Sequence, residues 1–213
     1  MKFVLNNVIP VPLIDSPLSE KTLWKTETEI ESSAITIAEA PSGTGKTTLI
    51  SILYGIRHDY EGKVYMNDTD IAAYSIEDWA EIRRTKLSAV FQDLRLFPSL
   101  TARQNIKLKN ELNPVLSDEE IDSMAKQLGI DHRMDFPCGK LSLGQQQRVA
   151  IIRALAQPFE IIMLDEPFSH LDENNSRIAA ELIMQYCEKN KAGLMLTSLD
   201  PSSMFPFNRF IYI

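Results

Sequence analysis

Hydrophobic and polar positions divide the chain into segments with recognisable periods. Lys2–Leu13 is rich in Val, Ile and Leu and predicts a strand that runs into a bend marked by Pro10 and Pro12. Residues 14–19 are polar and proline-containing, a loop. Glu27–Ala38 places Ile30, Ile35 and Ile37 among Thr and Ser, which predicts a strand pair or one bent strand. A helix is expected over Thr47–Leu53, stopping near Gly55, where a glycine accepts the left-handed conformation of a helix end. Glu61–Asp68 reads as a short strand into a turn. Ser75 with Asp78 three residues on resembles a capping box and opens a short helix to about Arg84. Leu87–Gln92 is then a short apolar strand ending on an amide.

From Pro98 to about Phe136 the periods become helical. Ser117 is placed as an N-cap, with Asp118, Glu119 and Glu120 in the first turn, where the helix dipole favours carboxylates. That cluster is therefore read as a cap and solvated face, not a metal site, and its helix should stop at Gly129. Ser142 caps another helix over Leu143–Ala156, ahead of Pro158. The uninterrupted apolar run Ile161-Ile-Met-Leu164 is that of a strand buried on both faces of a parallel sheet. A helix over Asn174–Asn190 and strands over Gly193–Thr197 and Arg209–Ile213 complete the chain. No internal repeat or low-complexity tract is present, and the alternation of strands and helices predicts an α/β fold.

The chain's 213 residues suffice for one domain or a domain with a sub-domain. With 44% hydrophobic and 24% charged residues, the composition is that of a globular protein. A net charge of −7 argues against a surface that coats nucleic acid, so no nucleic-acid partner is expected. No apolar run approaches the roughly 18 to 20 residues that cross a bilayer, and the N-terminus has no signal-peptide apolar core. Cys138 and Cys187 are too few for a disulfide framework and lack metal-ligand spacing. They are expected as reduced thiols in a cytoplasmic protein.

The chemistry concentrates in two places. Ala40-Pro-Ser-Gly-Thr-Gly-Lys-Thr-Thr48 nearly fits the pattern G-x-x-x-x-G-K-[ST], with Ala40 at the first glycine. Gly43 and Gly45 let the backbone curl so that successive N–H groups converge on an anion. Lys46 adds a positive charge for β- and γ-phosphates, and the Thr47 hydroxyl suits Mg²⁺. A helix beginning near Lys46 would aim its positive end at the same phosphates. The second place is Asp165-Glu166, two carboxylates at the C-terminal end of the buried strand, where open α/β sheets place their ligands.

Between these two motifs, Leu141-Ser-Leu-Gly-Gln145 followed by Gln146–Ala156 resembles the signature of ATP-binding cassette (ABC) ATPases and its helix, departing from Leu-Ser-Gly-Gly-Gln at Leu143. The order of the motifs is also similar to that family. The phosphate loop comes first, then Gln92 as the glutamine loop, the signature, the aspartate strand, and Ser169-His-Leu-Asp172 as the D-loop. The resemblance implies a P-loop NTPase core with a mostly parallel sheet, an antiparallel β subdomain and a helical insertion. The single domain, 1–213, would have its core and β subdomain at 1–97 and 158–213 and its helical subdomain at 98–157. ATP and Mg²⁺ would be the ligands. Ala40, Pro41, Ser42, Gly43, Thr44, Gly45, Lys46, Thr47 and Thr48 would cradle the phosphates. Thr47 and Gln92 would ligate the metal, Asp165 would hold a metal-bound water, and Glu166 would be the general base, with Lys46 and Gln92 assisting. Ser142, Gly144 and Gln145 would close over ATP bound by a second cassette, giving a head-to-tail dimer coupled to an integral membrane permease on the cytoplasmic face of the membrane. Phe97-Pro-Ser-Leu-Thr101 with Asn105 resembles the lipoprotein-releasing, cell-division and macrolide-export group.

Four departures from the family pattern stand out. Ala40 and Leu143 replace glycines, Leu199 stands where a histidine contacts the γ-phosphate, and no aromatic lies between Val11 and Leu23, where the adenine-stacking residue falls. Trp24 is assigned to packing. A homodimer would carry Leu143 and Leu199 in both composite sites, so slow hydrolysis is expected, whereas a heterodimer with a standard cassette would have each site half-complete. The alternative is a regulatory module acting through nucleotide-dependent dimerisation.

Overall fold

A computed structural model describes residues 1–19, 22–39, 43–198 and 204–213. Nine strands and six α-helices are described: β1 (Lys2–Pro10), β2 (Glu27–Glu31), β3 (Ile35–Glu39), α1 (Lys46–Leu53), β4 (Tyr60–Met66), β5 (Thr69–Asp70), α2 (Ile76–Thr85), β6 (Leu87–Val90), α3 (Ala102–Asn110), α4 (Asp118–Gln127), α5 (Leu143–Leu155), β7 (Ile161–Asp165), α6 (Glu173–Asn190), β8 (Gly193–Ser198) and β9 (Arg209–Tyr212). Five strands form a parallel sheet in the order β6-β7-β8-β3-β9. The other four form an antiparallel sheet in the order β2-β1-β4-β5.

The apolar run of β7 is explained by where its side chains go. Ile161 and Met163 join a core shared with α1, α2 and the antiparallel sheet. Ile162 and Leu164 join a second core shared with α3, α4, α5 and α6. Successive residues of a strand point to opposite faces, so a strand covered on both sides must be apolar throughout. The stretch Glu27–Ala38 is a strand pair whose two members belong to different sheets. β2, whose Glu27 is exposed, pairs with β1, whereas the apolar β3 enters the parallel sheet beside β8.

Local chemistry sets the helix starts. Ser75, Ser117 and Ser142 each accept a hydrogen bond from the N–H three residues on, and the side chains of Asp78, Glu120 and Gln145 accept in turn from the capping residue's own N–H. Thr101 and Gln104 make the same box at α3, which the sequence reading did not identify. Asn105, wholly buried on α3, accepts from Phe97 N–H (2.8 Å) and donates to the carbonyls of Phe97 (3.1 Å) and Thr101 (3.0 Å), fixing the loop before the helix. The parallel registers Ala38↔Thr197 and Asp165↔Thr197 bring the C-terminal ends of β3, β7 and β8 to one edge of the sheet. The site assembles at that edge.

Candidate nucleotide site

β3 delivers the chain to the phosphate loop. Ala40, Pro41 and Ser42 lie outside the described residues, as does Leu199. Gly43 (φ 82°) and Gly45 (φ 107°) adopt the left-handed backbone that glycine tolerates without steric cost, and α1 begins at Lys46. The first bond of α1 is donated by Leu49 N–H to Gly45 O (2.8 Å). Amides preceding that bond have no partner within the helix, and they belong to residues that line a cleft of about 320 Å³. Trp24 supports the turn from below. It is buried, its Nε1 donates to Thr44 O (3.1 Å), and a Cβ on Gly45 would stand 3.1 Å from its Cζ2. Its packing role is thus specific to the phosphate loop.

Glu166 lines the same cleft, and Asp165 lies buried just before it at the end of β7, outside the cleft lining. Asp165 is buried, and its Oδ1 accepts from Thr197 Oγ1 at 2.6 Å, while its Oδ2 is buried with no protein partner. A buried carboxylate oxygen without a donor is costly, and such an atom calls for a water or cation. Glu166 has its Oε1 3.3 Å from Lys46 Nζ and its Oε2 3.4 Å from Gln92 Nε2. Lys46 is 7% exposed, so this ion pair is poorly screened on its cationic side. Glu166 also has φ 48°, an uncommon conformation for a residue with a Cβ, held by its N–H bond to Thr197 O (3.2 Å). Gly43, Gly45, Lys46, Thr47, Thr48, Gln92 and Glu166 line one cleft together with Pro10, Pro12, Leu13 and Arg57.

Ser142, Gly144 and Gln145 do not line that cleft. Ser142 Oγ accepts from Gln145 N–H (3.3 Å), and Gln145 Oε1 accepts from Ser142 N–H (3.0 Å), so this pair caps α5. Leu143 beside them is 55% exposed. Gly144 has a packing reason to be glycine, because a Cβ there would come within 2.6 Å of His170 O.

Two residues that sequence reasoning missed connect α5 to the rest of the site. Gln147 is buried and donates from Nε2 to Glu166 O (3.2 Å), while its Oε1 accepts from His170 N–H (3.0 Å). Arg153 donates to Leu94 O and Arg95 O, each at 2.6 Å, clamping the segment just after Gln92, where both residues have positive φ. Burial pushes the Arg153 guanidinium below its ordinary value. A signal for Gln147 existed. It occupies the buried stripe 147, 150, 151, 154 of an amphipathic helix, where a polar residue needs a partner.

A glycine-turned loop that opens a helix and faces a strand-end glutamate, on a parallel sheet with helices on both faces, defines a P-loop nucleoside-triphosphate-binding protein. The comparison with known proteins narrows the class. Residues 26–169 match the family model described as "ABC transporter", and the chain belongs to that family. The ABC transporter ATP-binding protein YtrE of Bacillus subtilis is 34% identical over 148 residues, which cover 68% of this chain and 64% of YtrE. The lipoprotein-releasing system ATP-binding protein LolD 2 of Rhodopseudomonas palustris is 32% identical over 162 residues, 75% of this chain and 70% of that protein. Among solved structures, the dimeric post-hydrolysis state of the ATP-binding cassette MJ0796 bound to ADP and Pi superposes with a TM-score of 0.83 at 27% identity, covering 99% of this chain and 94% of that one.

Proposed function

We propose that this protein is the ATP-binding and ATP-hydrolysing subunit of an ABC transporter, working as a dimer on the cytoplasmic face of a membrane and driving an integral permease. The observation that carries the reading is Glu166, set between Lys46 and Gln92 across the cleft from the phosphate loop. In this reading the loop amides and Lys46 bind the β- and γ-phosphates, and Glu166 orients and deprotonates the attacking water. Phosphoryl transfer asks the protein mainly for such positioning and charge stabilisation. Because Lys46 reaches both the phosphates and the base, it couples the charge of one to the placement of the other.

Mg²⁺ fits the residues present. Thr47 and Gln92 bring neutral oxygens to the cleft, and the buried Asp165 Oδ2, one residue before the cleft-lining Glu166, lacks a protein donor. Thr47 and Gln92 would hold the ion directly and Asp165 through a water. When bound, the ion neutralises phosphate charge.

Ser142, Gly144 and Gln145, displaced from their own cleft, would serve the ATP of a second cassette. The nucleotide-binding core would comprise 1–97 and 158–213, with the helical subdomain at 98–157 carrying the signature. Among the described residues no helix is long and apolar enough to cross a membrane, so in this reading the permease supplies the membrane span.

Steady-state phosphate release and light scattering with ATP test the proposal. Wild-type protein is expected to release phosphate. Glu166→Gln should lose at least about 100-fold in turnover, the scale of a general base, yet bind ATP and shift to a doubled mass. Turnover unaffected by the substitution would remove Glu166 as the base and with it the mechanism.

A further inference from the structure

The cleft contains a residue that neither the motifs nor the family pattern assigns. Arg57 follows α1 and lines the cleft beside Pro10, Pro12 and Leu13. The backbone bond from Val11 N–H to Asp59 O (3.0 Å) and the pairing of Pro10 with Tyr60 hold the proline turn against the segment that carries Arg57. The guanidinium is immobilised in its own plane. Nε and Nη2 donate to Asp59 Oδ1 (2.6 Å) and Oδ2 (2.8 Å), and Nη1 donates to Thr48 Oγ1 (3.1 Å). Thr48 belongs to the phosphate loop, so the plane is tied to the cradle itself. The side chain remains 30% exposed.

Three of the five guanidinium N–H groups are used on Asp59 and Thr48, and the plane they fix leaves its face for stacking. Arginine planes stack on π-systems, and one pinned by a bidentate carboxylate does so with little further loss of freedom. Pro12 and Leu13 add apolar surface to the same cleft, and no aromatic lies between Val11 and Leu23 to take the base. We infer that Arg57, held flat by Asp59 and Thr48, is the stacking platform for the nucleotide's purine ring, which it holds against the Pro12 turn. Stacking on a face reads no hydrogen-bond edge, so the site accepts adenine and guanine nearly alike.

This inference rests on the cleft being the nucleotide site, and the test separates the two. The full chain is titrated with a ribose-labelled fluorescent ATP, which is then displaced by ATP, GTP or inorganic tripolyphosphate. In the wild type, GTP should compete within about threefold of ATP. Arg57→Ala should weaken ATP and GTP about tenfold and tripolyphosphate less than about twofold, because a base contact is absent from tripolyphosphate. Arg57→Lys, which keeps the charge and loses the plane, should behave like the alanine variant. Equal losses for ATP and tripolyphosphate, no loss at all, or a lysine variant indistinguishable from wild type would each overturn the assignment of Arg57. Failure of the wild type to bind labelled ATP would overturn the nucleotide site itself.

Discussion

At the scale of single residues, the site is built from groups whose placement costs stability. Glu166 sits at φ 48° with its carboxylate between a cation and an amide, and Asp165 keeps one buried oxygen without a protein donor. Such costs persist only where surroundings over-determine the geometry. Gln147 is one of those surroundings. Its amide meets the Glu166 carbonyl and the His170 N–H from inside a buried helix face, so Gln147→Ala removes a part-buried hydrogen bond on each side. The expected cost is about 1–3 kcal/mol, read as a lower urea midpoint. A larger fractional fall in turnover than in ATP affinity should accompany it, since the carbonyl it holds belongs to Glu166. Unchanged stability and turnover would show that the amide is dispensable.

At the scale of elements, carboxylates at helix starts set how the fold responds to acid. Asp78, Glu120 and Asp172 each accept backbone N–H bonds at the N-termini of α2, α4 and α6, and those bonds hold each carboxyl below its ordinary value. A folded pKa below the unfolded one means stability that is complete above the ordinary carboxylate range, near about 4. It is lost as pH falls through the folded values. The urea midpoint should therefore drop between about pH 5 and 3. Asp172→Asn keeps an equally good cap but cannot titrate. It should match the wild type near neutrality and lose less on acidification, and an identical acid loss would remove Asp172 from the account.

At the scale of the whole molecule, the two cores on either face of the parallel sheet hold the phosphate loop and the carboxylates in fixed relation, while α5 reaches both the Gln92 segment and Glu166. The end of the same helix presents Leu143, 55% exposed, beside Ser142 and Gly144. In the proposed dimer that side chain would meet the partner's nucleotide. Leu143→Gly should raise phosphate release per site if the leucine obstructs closure, although glycine costs the helix up to about 1 kcal/mol. Turnover at or below the wild-type level would locate any slowness elsewhere.

By itself the sequence determined the elements and the linear motifs. Helix starts at Ser75, Ser117 and Ser142 were legible because a cap and its return bond lie three residues apart. The β7 run was legible because burial on two faces demands apolar residues at consecutive positions. The glycine turn into α1 and the strand end at Asp165 were legible because their signals lie in adjacent residues. Tertiary structure alone decided the rest. It split Glu27–Ala38 between two sheets, set Trp24 beneath Gly45, and brought Arg57 to the cleft. It also joined Gln92 to Glu166 across 74 positions of chain. Those relations depend on which strands become neighbours, and strand order in a parallel sheet is fixed by packing across the core rather than by the pattern within any one segment.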